Sequence, residues 1–365
     1  MTFFLIILGL ILLISFLADN NKNYENKSSL FITLIAALIA SLLAGFRTSY
    51  NDTERYMYTF QYVIPNSFDK LIETIDWSLG SNPGFYIFQY LLKSFISESP
   101  QILILVSSLI TFISIFLFVR KYSYSLAYTV FIIIASGLFM LGMAAIKQIM
   151  AIAIGIWAIP YFIEKKYLKM FFILFLAAII HPFILLYLLV FFVSDDIWNK
   201  KIILAFILVF IIGILFKSFV GSLLSLAGTI GVNYDASYIL EAKGMNILRV
   251  LVFSATPILT YIFRDEIRQF NSKILIISVN FSVIAFLFTI IASYGGANMF
   301  GRLASYFEIF NYLTLTFILF FIVSKNLGFI YRIISIGAYS FFFYYQTVII
   351  KKFEYKSILD IGGLY

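Results

Sequence analysis

Long apolar runs, separated by short segments that carry most of the charged residues, repeat along the chain. The runs long enough to form spanning helices are residues 2–17, 30–46, 101–119, 126–141, 144–163, 202–220, 247–263, 274–292, 303–323 and 327–348. Because about 20 apolar residues in a helix cross the hydrocarbon core of a bilayer, the pattern predicts an all-α, polytopic integral membrane protein with about 10–12 transmembrane helices. We expect residues 1–365 to form a single multi-span membrane domain.

One further apolar run, residues 170–193, is interrupted by His181 and Pro182. Proline disrupts the hydrogen-bond ladder of a helix, so this run is predicted to contain a broken segment. Lysines flank the run on both sides, and lysine-rich loops favour the cytoplasm. A re-entrant hairpin keeps both flanks on that side, whereas a kinked span separates them. The length of the run suits either form, and both remain open.

The Lys and Arg residues of the short loops predict the orientation of the spans. The basic loops predicted to face the cytoplasm are Arg120-Lys121, residues 164–169, residues 264–273, and Lys325 with Arg332. The segments predicted to lie outside are residues 47–100, a turn at Gly142, residues 221–246 and residues 294–301. Within the external loop 47–100, the segment 85–96 is too short and too polar to span, so we expect a helix that lies along the outer interface.

Composition supports a membrane protein and excludes several other classes. Apolar residues make up 62% of the chain and charged residues 12%, which is about half the charged fraction of a soluble domain. The absence of cysteine excludes disulfides and thiolate chemistry. The net charge of +8 comes from bases scattered between apolar runs, which fits membrane orientation and anionic lipids better than nucleic acid. The sequence has no Gly-rich phosphate loop, which argues against a nucleotide-dependent enzyme.

Single ionisable side chains lie within or at the ends of the apolar runs, where they are costly and usually line a cavity or bind a ligand. Those predicted to lie toward the outer leaflet are Arg47, Asp52, Lys147, His181, Arg249 and Arg302. We expect them to converge on one cavity. Several fixed cations with a carboxylate suit a polyanionic headgroup such as a lipid diphosphate.

Two of these side chains are candidates for proton transfer. The carboxylate of Asp52 is the first choice for a base that activates a sugar hydroxyl, and the imidazole of His181 is the second. Structural roles stay open beside the functional ones. The arginines could snorkel to the interface, Lys147 could form an ion pair with Glu308, and His181 before proline is often a structural feature.

Several motifs resemble the EpsG family of Wzy-like polysaccharide polymerases. In the string GFRTSYNDTERY, from Gly45 to Tyr56, an arginine at the end of an early span is followed by Asp-x-x-x-Tyr. The other matching motifs, in the family's order, are Asn82-Pro83-Gly84-Phe85, Lys147-Gln148, His181-Pro182 and Gly301-Arg302-x-x-x-Tyr306-Phe307. The family has Arg-Gln where this chain has Lys147-Gln148, so the charge is kept and the bidentate fork is lost. Glutamate is also common in the family where Asn82 stands.

The resemblance implies a multi-pass protein of the bacterial plasma (inner) membrane that makes capsule, exopolysaccharide or O-antigen. Such a polymerase joins undecaprenyl-diphosphate-linked oligosaccharide repeat units on the outer face, with lipid diphosphate as the leaving group. The expected catalytic residues are Asp52, His181, Arg47 and Arg302. The expected substrate-binding residues are Lys147, Gln148, Arg249, Tyr56 and Tyr306. We expect no metal or other cofactor; membrane lipids, a chain-length regulator and a flippase are candidate partners.

Two other classes of protein share these features. A flippase or transporter of lipid-linked oligosaccharide, or of another amphiphile, also needs many spans and a cationic cavity, but alternating access calls for a site near the midplane. An acyltransferase, or a glycosyltransferase with a monophosphate lipid donor, differs in its donor and not in its architecture.

Overall fold

The computed structural model describes residues 1–21, 27–229, 244–323 and 325–359, and most of these residues are helical. The chain divides into two compact units, and the single membrane domain expected from the sequence stays a prediction. The first comprises Met1–Leu185 with Phe343–Tyr365, and the second comprises Leu186–Phe342.

The first unit begins with the long helices and contains the segment predicted to be external. Its helices are α1 (Thr2–Asn20), α2 (Leu30–Gly45), α3 (Thr53–Tyr58, followed by a π-turn at Thr59–Val63), α4 (Phe68–Thr74), α5 (Pro83–Phe95), α6 (Gln101–Tyr122), α7 (Leu126–Ala135), α8 (Leu138–Ala144), α9 (Ile146–Gly155), α10 (Ala158–Ile163) and α11 (Tyr167–Ala178). A two-stranded antiparallel ribbon joins β1 (Arg47–Ser49) to β2 (Lys356–Ser357).

Small residues allow α2 to pack closely against α6. Alanines and Gly45 make up most of the buried face of α2. A Cβ atom added to Gly45 would lie 2.8 Å from Cδ1 and 3.0 Å from Cα of Leu105, so glycine is required for this approach. Close packing through small residues is a common source of helix association in membranes, where lipid is as apolar as the helix surface.

The second unit contains a 3₁₀ helix at Pro182–Leu189, which starts in the first unit, and the remaining helices. These are α12 (Val190–Val193), α13 (Lys200–Ile214), α14 (Phe216–Thr229), α15 (Ile247–Ile262), α16 (Arg264–Arg268), α17 (Lys273–Tyr294), α18 (Ala297–Ser305), α19 (Glu308–Phe317, followed by a π-turn at Ile318–Ile322) and α20 (Lys325–Tyr344).

The predicted polytopic membrane fold is confirmed. Among the described residues, five helical segments are long and apolar enough to cross a membrane, and three bent helix pairs each qualify if the pair is one span. The five are Thr2–Asn20, Gln101–Tyr122, Ile146–Ile163, Lys273–Tyr294 and Leu327–Ile350. Four shorter apolar helices are Leu30–Gly45, Tyr167–Ala178, Pro182–Val193 and Ile247–Ile262.

Three runs predicted as spans are bent, and each consists of a pair of helices. Residues 126–141 bend by 59° between α7 and α8, residues 202–220 by 97° between α13 and α14, and residues 303–323 by 55° between α18 and α19. At the first bend Gly137 has a φ of 92°, a left-handed conformation that glycine adopts without steric cost. A hydropathy run does not reveal such bends because the residues on both sides are equally apolar.

The turn predicted at Gly142 is also wrong. Gly142 lies inside α8, where an added Cβ atom would come within 2.9 Å of the Phe112 ring, and the chain turns at Ala145 instead. The glycine therefore serves helix packing and not a turn. Residues 297–301, predicted as part of an external loop, are the start of α18. Of the predicted external loop 221–246, residues 221–229 are helical, and residues 230–243 lie outside the described residues.

The predicted break at His181-Pro182 is confirmed. Helix α11 ends at Ala178, and Pro182 begins the 3₁₀ helix. Proline suits the first position of a helix because its missing N–H has no intrahelical partner there. The choice between a re-entrant hairpin and a kinked span, like the orientation of the loops, stays a prediction.

The predicted interfacial segment is the helix α5. It begins at Pro83, one residue after Asn82, which has a left-handed φ of 64°. The rest of the segment 47–100 is also more helical than predicted, because α3 and α4 precede α5. The location of α5 at the membrane interface stays a prediction.

Candidate functional site

Arg47 is a buried anchor at the end of α2. Only 1% of its surface is exposed. Its Nε donates to Thr53 Oγ1 at 3.1 Å, its Nη2 donates to the carbonyl of Met143 at 2.6 Å, and its Nη1 donates to the carbonyl of Ala44. The guanidinium thus ties the end of α2 to the start of α3 and to α8. All three guanidinium nitrogens are engaged within the protein, which is a structural role, and the catalytic role expected for Arg47 stays a prediction.

The segment after Arg47 makes a tight turn that places Asp52 at the start of α3. Asn51 has a left-handed φ of 49°, which asparagine tolerates better than most residues. The backbone N–H and the hydroxyl of Thr53 both donate to the Tyr50 carbonyl. Burial raises the pKa of Tyr50 to about 12, so its hydroxyl is neutral at physiological pH. Asp52 is half-buried, and its carboxylate makes no capping hydrogen bond to α3.

Lys147 lies against two aromatic rings. Its Nζ is 5.9 Å from the ring centroid of Tyr56 and 5.7 Å from that of Phe85, within the range of cation–π attraction. The two rings contact each other edge to face, with centroids 5.8 Å apart. Three segments distant in the sequence therefore meet at this ammonium: α3, the start of α5 and the start of α9.

The charges around Lys147 favour the binding of an anionic ligand. Lys147 is the second residue of α9, where the helix dipole already supplies positive potential. Asp52 attracts the ammonium and Arg55 repels it. Asp52, Arg55 and Tyr56 are spaced so that they share one face of a helical turn, and the backbone N–H of Tyr56 donates to the Asp52 carbonyl at 3.0 Å.

Gly84 joins this cluster to the break before His181. Its N–H donates to the carbonyl of Ile179 at 2.9 Å, and an added Cβ atom would lie 2.5 Å from Ile179 Cγ1. His181 follows two residues later, half-buried, and its N–H donates to the Ala177 carbonyl at 2.9 Å. The motif Asn82-Pro83-Gly84-Phe85 thus places Phe85 beside Lys147 and Gly84 on the broken helix. Gln148, next to Lys147, is buried.

The second unit holds an ion pair between Glu308 and Arg249. Glu308 is 1% exposed; its Oε2 accepts a hydrogen bond from the Tyr312 hydroxyl at 2.8 Å, and its Oε1 lies 3.6 Å from Arg249 Nη2. The guanidinium of Arg249 also lies over the Phe253 ring at 5.3 Å and is partly exposed. Glu308 therefore pairs with Arg249 within the second unit.

Arg302 and Tyr306 differ in their exposure to solvent. Arg302 is exposed on α18, whereas Tyr306 is fully buried at the bend that follows. The bend frees the Tyr306 carbonyl, which accepts a hydrogen bond from the Tyr187 hydroxyl at 2.6 Å. Tyr306 supports the bend through this hydrogen bond, and the functional roles expected for Arg302 and Tyr306 stay predictions. Within the described residues, no group of three or more His, Asp or Glu side chains could hold a metal ion.

Comparison with known proteins assigns the chain to a family. The model of the EpsG family matches residues 30–357, most of the chain. The chain belongs to the EpsG family. EpsG proteins are Wzy-like and of the polysaccharide-polymerase type, so the chain is a membrane protein of polysaccharide biosynthesis. No curated protein and no solved structure matches it.

The structure also brings together with Lys147 two residues that no sequence pattern singled out. The ring of Phe85 faces Lys147, and the charge of Arg55 acts on it. The helical spacing from Asp52 to Arg55 could have drawn attention to Arg55. The contact between Phe85 and Lys147 depends on tertiary packing, so no local pattern predicts it.

Proposed function

We propose that this protein is a polysaccharide polymerase of the bacterial plasma membrane. It joins undecaprenyl-diphosphate-linked oligosaccharide repeat units on the outer face and releases undecaprenyl diphosphate. Family membership supports this class of reaction. The observation that carries the assignment to this chain is the Lys147 ammonium, placed at the start of α9 over Tyr56 and Phe85 and beside Asp52.

The cation at this position suits the leaving group. A diphosphate gains negative charge as its bond to the sugar breaks, and a fixed cation stabilises that charge most in the transition state. The two aromatic rings hold the ammonium in place and leave its N–H groups to bind phosphate oxygens. The positive end of the α9 dipole acts in the same direction.

The carboxylate of Asp52 is suited to the acceptor. The oxygen of the acceptor hydroxyl forms a bond to the anomeric carbon while the bond between that carbon and the diphosphate oxygen breaks. The bonding electron pair leaves with the diphosphate, and the hydroxyl proton passes to Asp52. His181 is the second candidate for this proton. Arg302 is proposed as a further catalytic residue and Arg249 as a further substrate-binding residue, and Arg47 holds the start of α3 in place for Asp52.

A reconstitution assay tests the polymerase reaction. Purified protein in lipid vesicles would receive undecaprenyl-diphosphate-linked repeat units, and the products would be separated by size. The wild-type protein should give a ladder of chain lengths. Lys147→Gln should reduce the rate roughly a hundredfold, the usual effect of removing one stabilising group from a transition state. Lys70→Gln, at an exposed position of α4, is the matched control and should leave the ladder unchanged.

The same assay separates the polymerase from its alternatives. Movement of the labelled lipid across the vesicle membrane without a ladder would indicate a flippase. A ladder formed from a monophosphate-linked donor, and not from the diphosphate, would indicate the other class of glycosyltransferase. Either result would overturn the proposed reaction.

A further inference from the structure

Arg55 stands on the same face of α3 as the two residues already assigned to the site. It follows Asp52 by three positions and precedes Tyr56, whose ring contacts Lys147. The side chain is exposed, and within the described residues it has no hydrogen-bond or ion-pair partner. Its guanidinium is therefore available to a ligand beside Lys147.

Two cations that repel each other, Arg55 and Lys147, belong to the same cluster of side chains. Arg55 repels the ammonium of Lys147, and Asp52 is the carboxylate that attracts it. The cluster of these three side chains carries a net positive charge, to which the start of α9 adds more. Like charges held close together are unfavourable unless a ligand of opposite charge neutralises them. An anion with two separate charged groups fits two cations on two helices.

We propose that Arg55 is a further substrate-binding residue, which binds one phosphate of the lipid diphosphate while Lys147 binds the other. The proposal rests on the proposed function and names the group that selects a diphosphate over a monophosphate. The planar fork of Arg55 suits bidentate binding of phosphate oxygens, whereas Lys147 acts as a point charge. A monophosphate occupies one of these cations and gains little from the other.

Binding of two short prenyl phosphates tests this selectivity without any polymerisation. Farnesyl diphosphate and farnesyl monophosphate would be titrated into purified protein in a neutral detergent. The wild-type protein should bind the diphosphate more tightly. Arg55→Gln should weaken diphosphate binding about tenfold or more, since hydrogen bonds to charged groups are among the strong ones, and should change monophosphate binding little. Lys147→Gln should weaken binding of both, and Lys70→Gln should change neither.

Several results would overturn the assignment of Arg55. They are an equal loss of affinity for both ligands in Arg55→Gln, an unchanged affinity of that variant for the diphosphate, and equal affinities of the wild-type protein for the two ligands. Arg55→Lys keeps the charge and loses the fork, so it should retain part of the selectivity. Failure of the polymerase reaction is distinct: selective, Arg55-dependent binding without a ladder would remove the reaction and leave the diphosphate site.

Discussion

Replacement of Arg47 by methionine should unfold the first unit locally and not merely slow the reaction. Methionine keeps the apolar stem and removes all the donors. The guanidinium serves two carbonyls and the Thr53 hydroxyl in a fully buried setting. Each such charge-assisted hydrogen bond contributes about 1.5–3 kcal/mol. These contributions are not additive, so we expect a total loss of about 3–5 kcal/mol, since the substitution leaves buried acceptors without donors.

That loss is a large part of the usual stability of a domain, about 5–15 kcal/mol. Thermal unfolding in detergent and the ladder assay would be measured on the same preparations. Arg47→Met should lose thermal stability and activity together, and Arg47→Lys should fall between it and the wild-type protein. The control is Arg302→Met, at an exposed position, which should keep its Tm and lose activity. An Arg47→Met protein with wild-type Tm and no ladder would refute the anchor role and restore a direct role in catalysis.

Further predictions concern the base, the leaving group, the packing and the topology. Asp52→Asn should abolish the ladder with normal folding, because an amide is a poor proton acceptor; a normal ladder would move the base to another residue. Arg302→Lys keeps the charge and loses the fork, so the rate should fall roughly a hundredfold if Arg302 holds the diphosphate, and hardly at all if it only snorkels. Gly84→Ala should lower the Tm through contact with Ile179, at a cost of about 1–3 kcal/mol; an unchanged Tm would mean that α5 can shift. A cysteine at Ser67, in this cysteine-free chain, should react with an impermeant maleimide in intact cells, and labelling only after permeabilisation would reverse the predicted orientation.

Local patterns predicted the class of fold and one of its breaks. Apolar runs of spanning length predicted the polytopic membrane fold, and proline predicted the break at Pro182. These signals are local because a missing N–H and a fixed φ act on the residue's own turn. The bends at Gly137 and before Glu308 leave no such mark in the hydropathy.

Sequence patterns did not predict the contacts between distant segments. The ribbon pairs Arg47 with Ser357, and Gly84 binds the carbonyl of Ile179. Short strands and single backbone hydrogen bonds of this kind have little intrinsic preference, so tertiary packing decides them. The consequence for the site is direct, because Gly84 fixes the start of α5 and thereby the ring of Phe85.

Depth in the membrane does not separate the roles of the two cations Arg47 and Lys147. Each lies at the end of an apolar run, so the cost of a charge in hydrocarbon marks both equally. Their surroundings differ. Arg47 donates to the carbonyl of Met143, 96 residues away, and is 1% exposed, whereas Lys147 lies over aromatic rings and is partly exposed. A carbonyl satisfies the guanidinium from within the protein, while an aromatic ring attracts the ammonium and leaves its N–H groups for a ligand. Partners, and not position along the run, therefore separate the cation that holds the fold from the cation suited to bind phosphate.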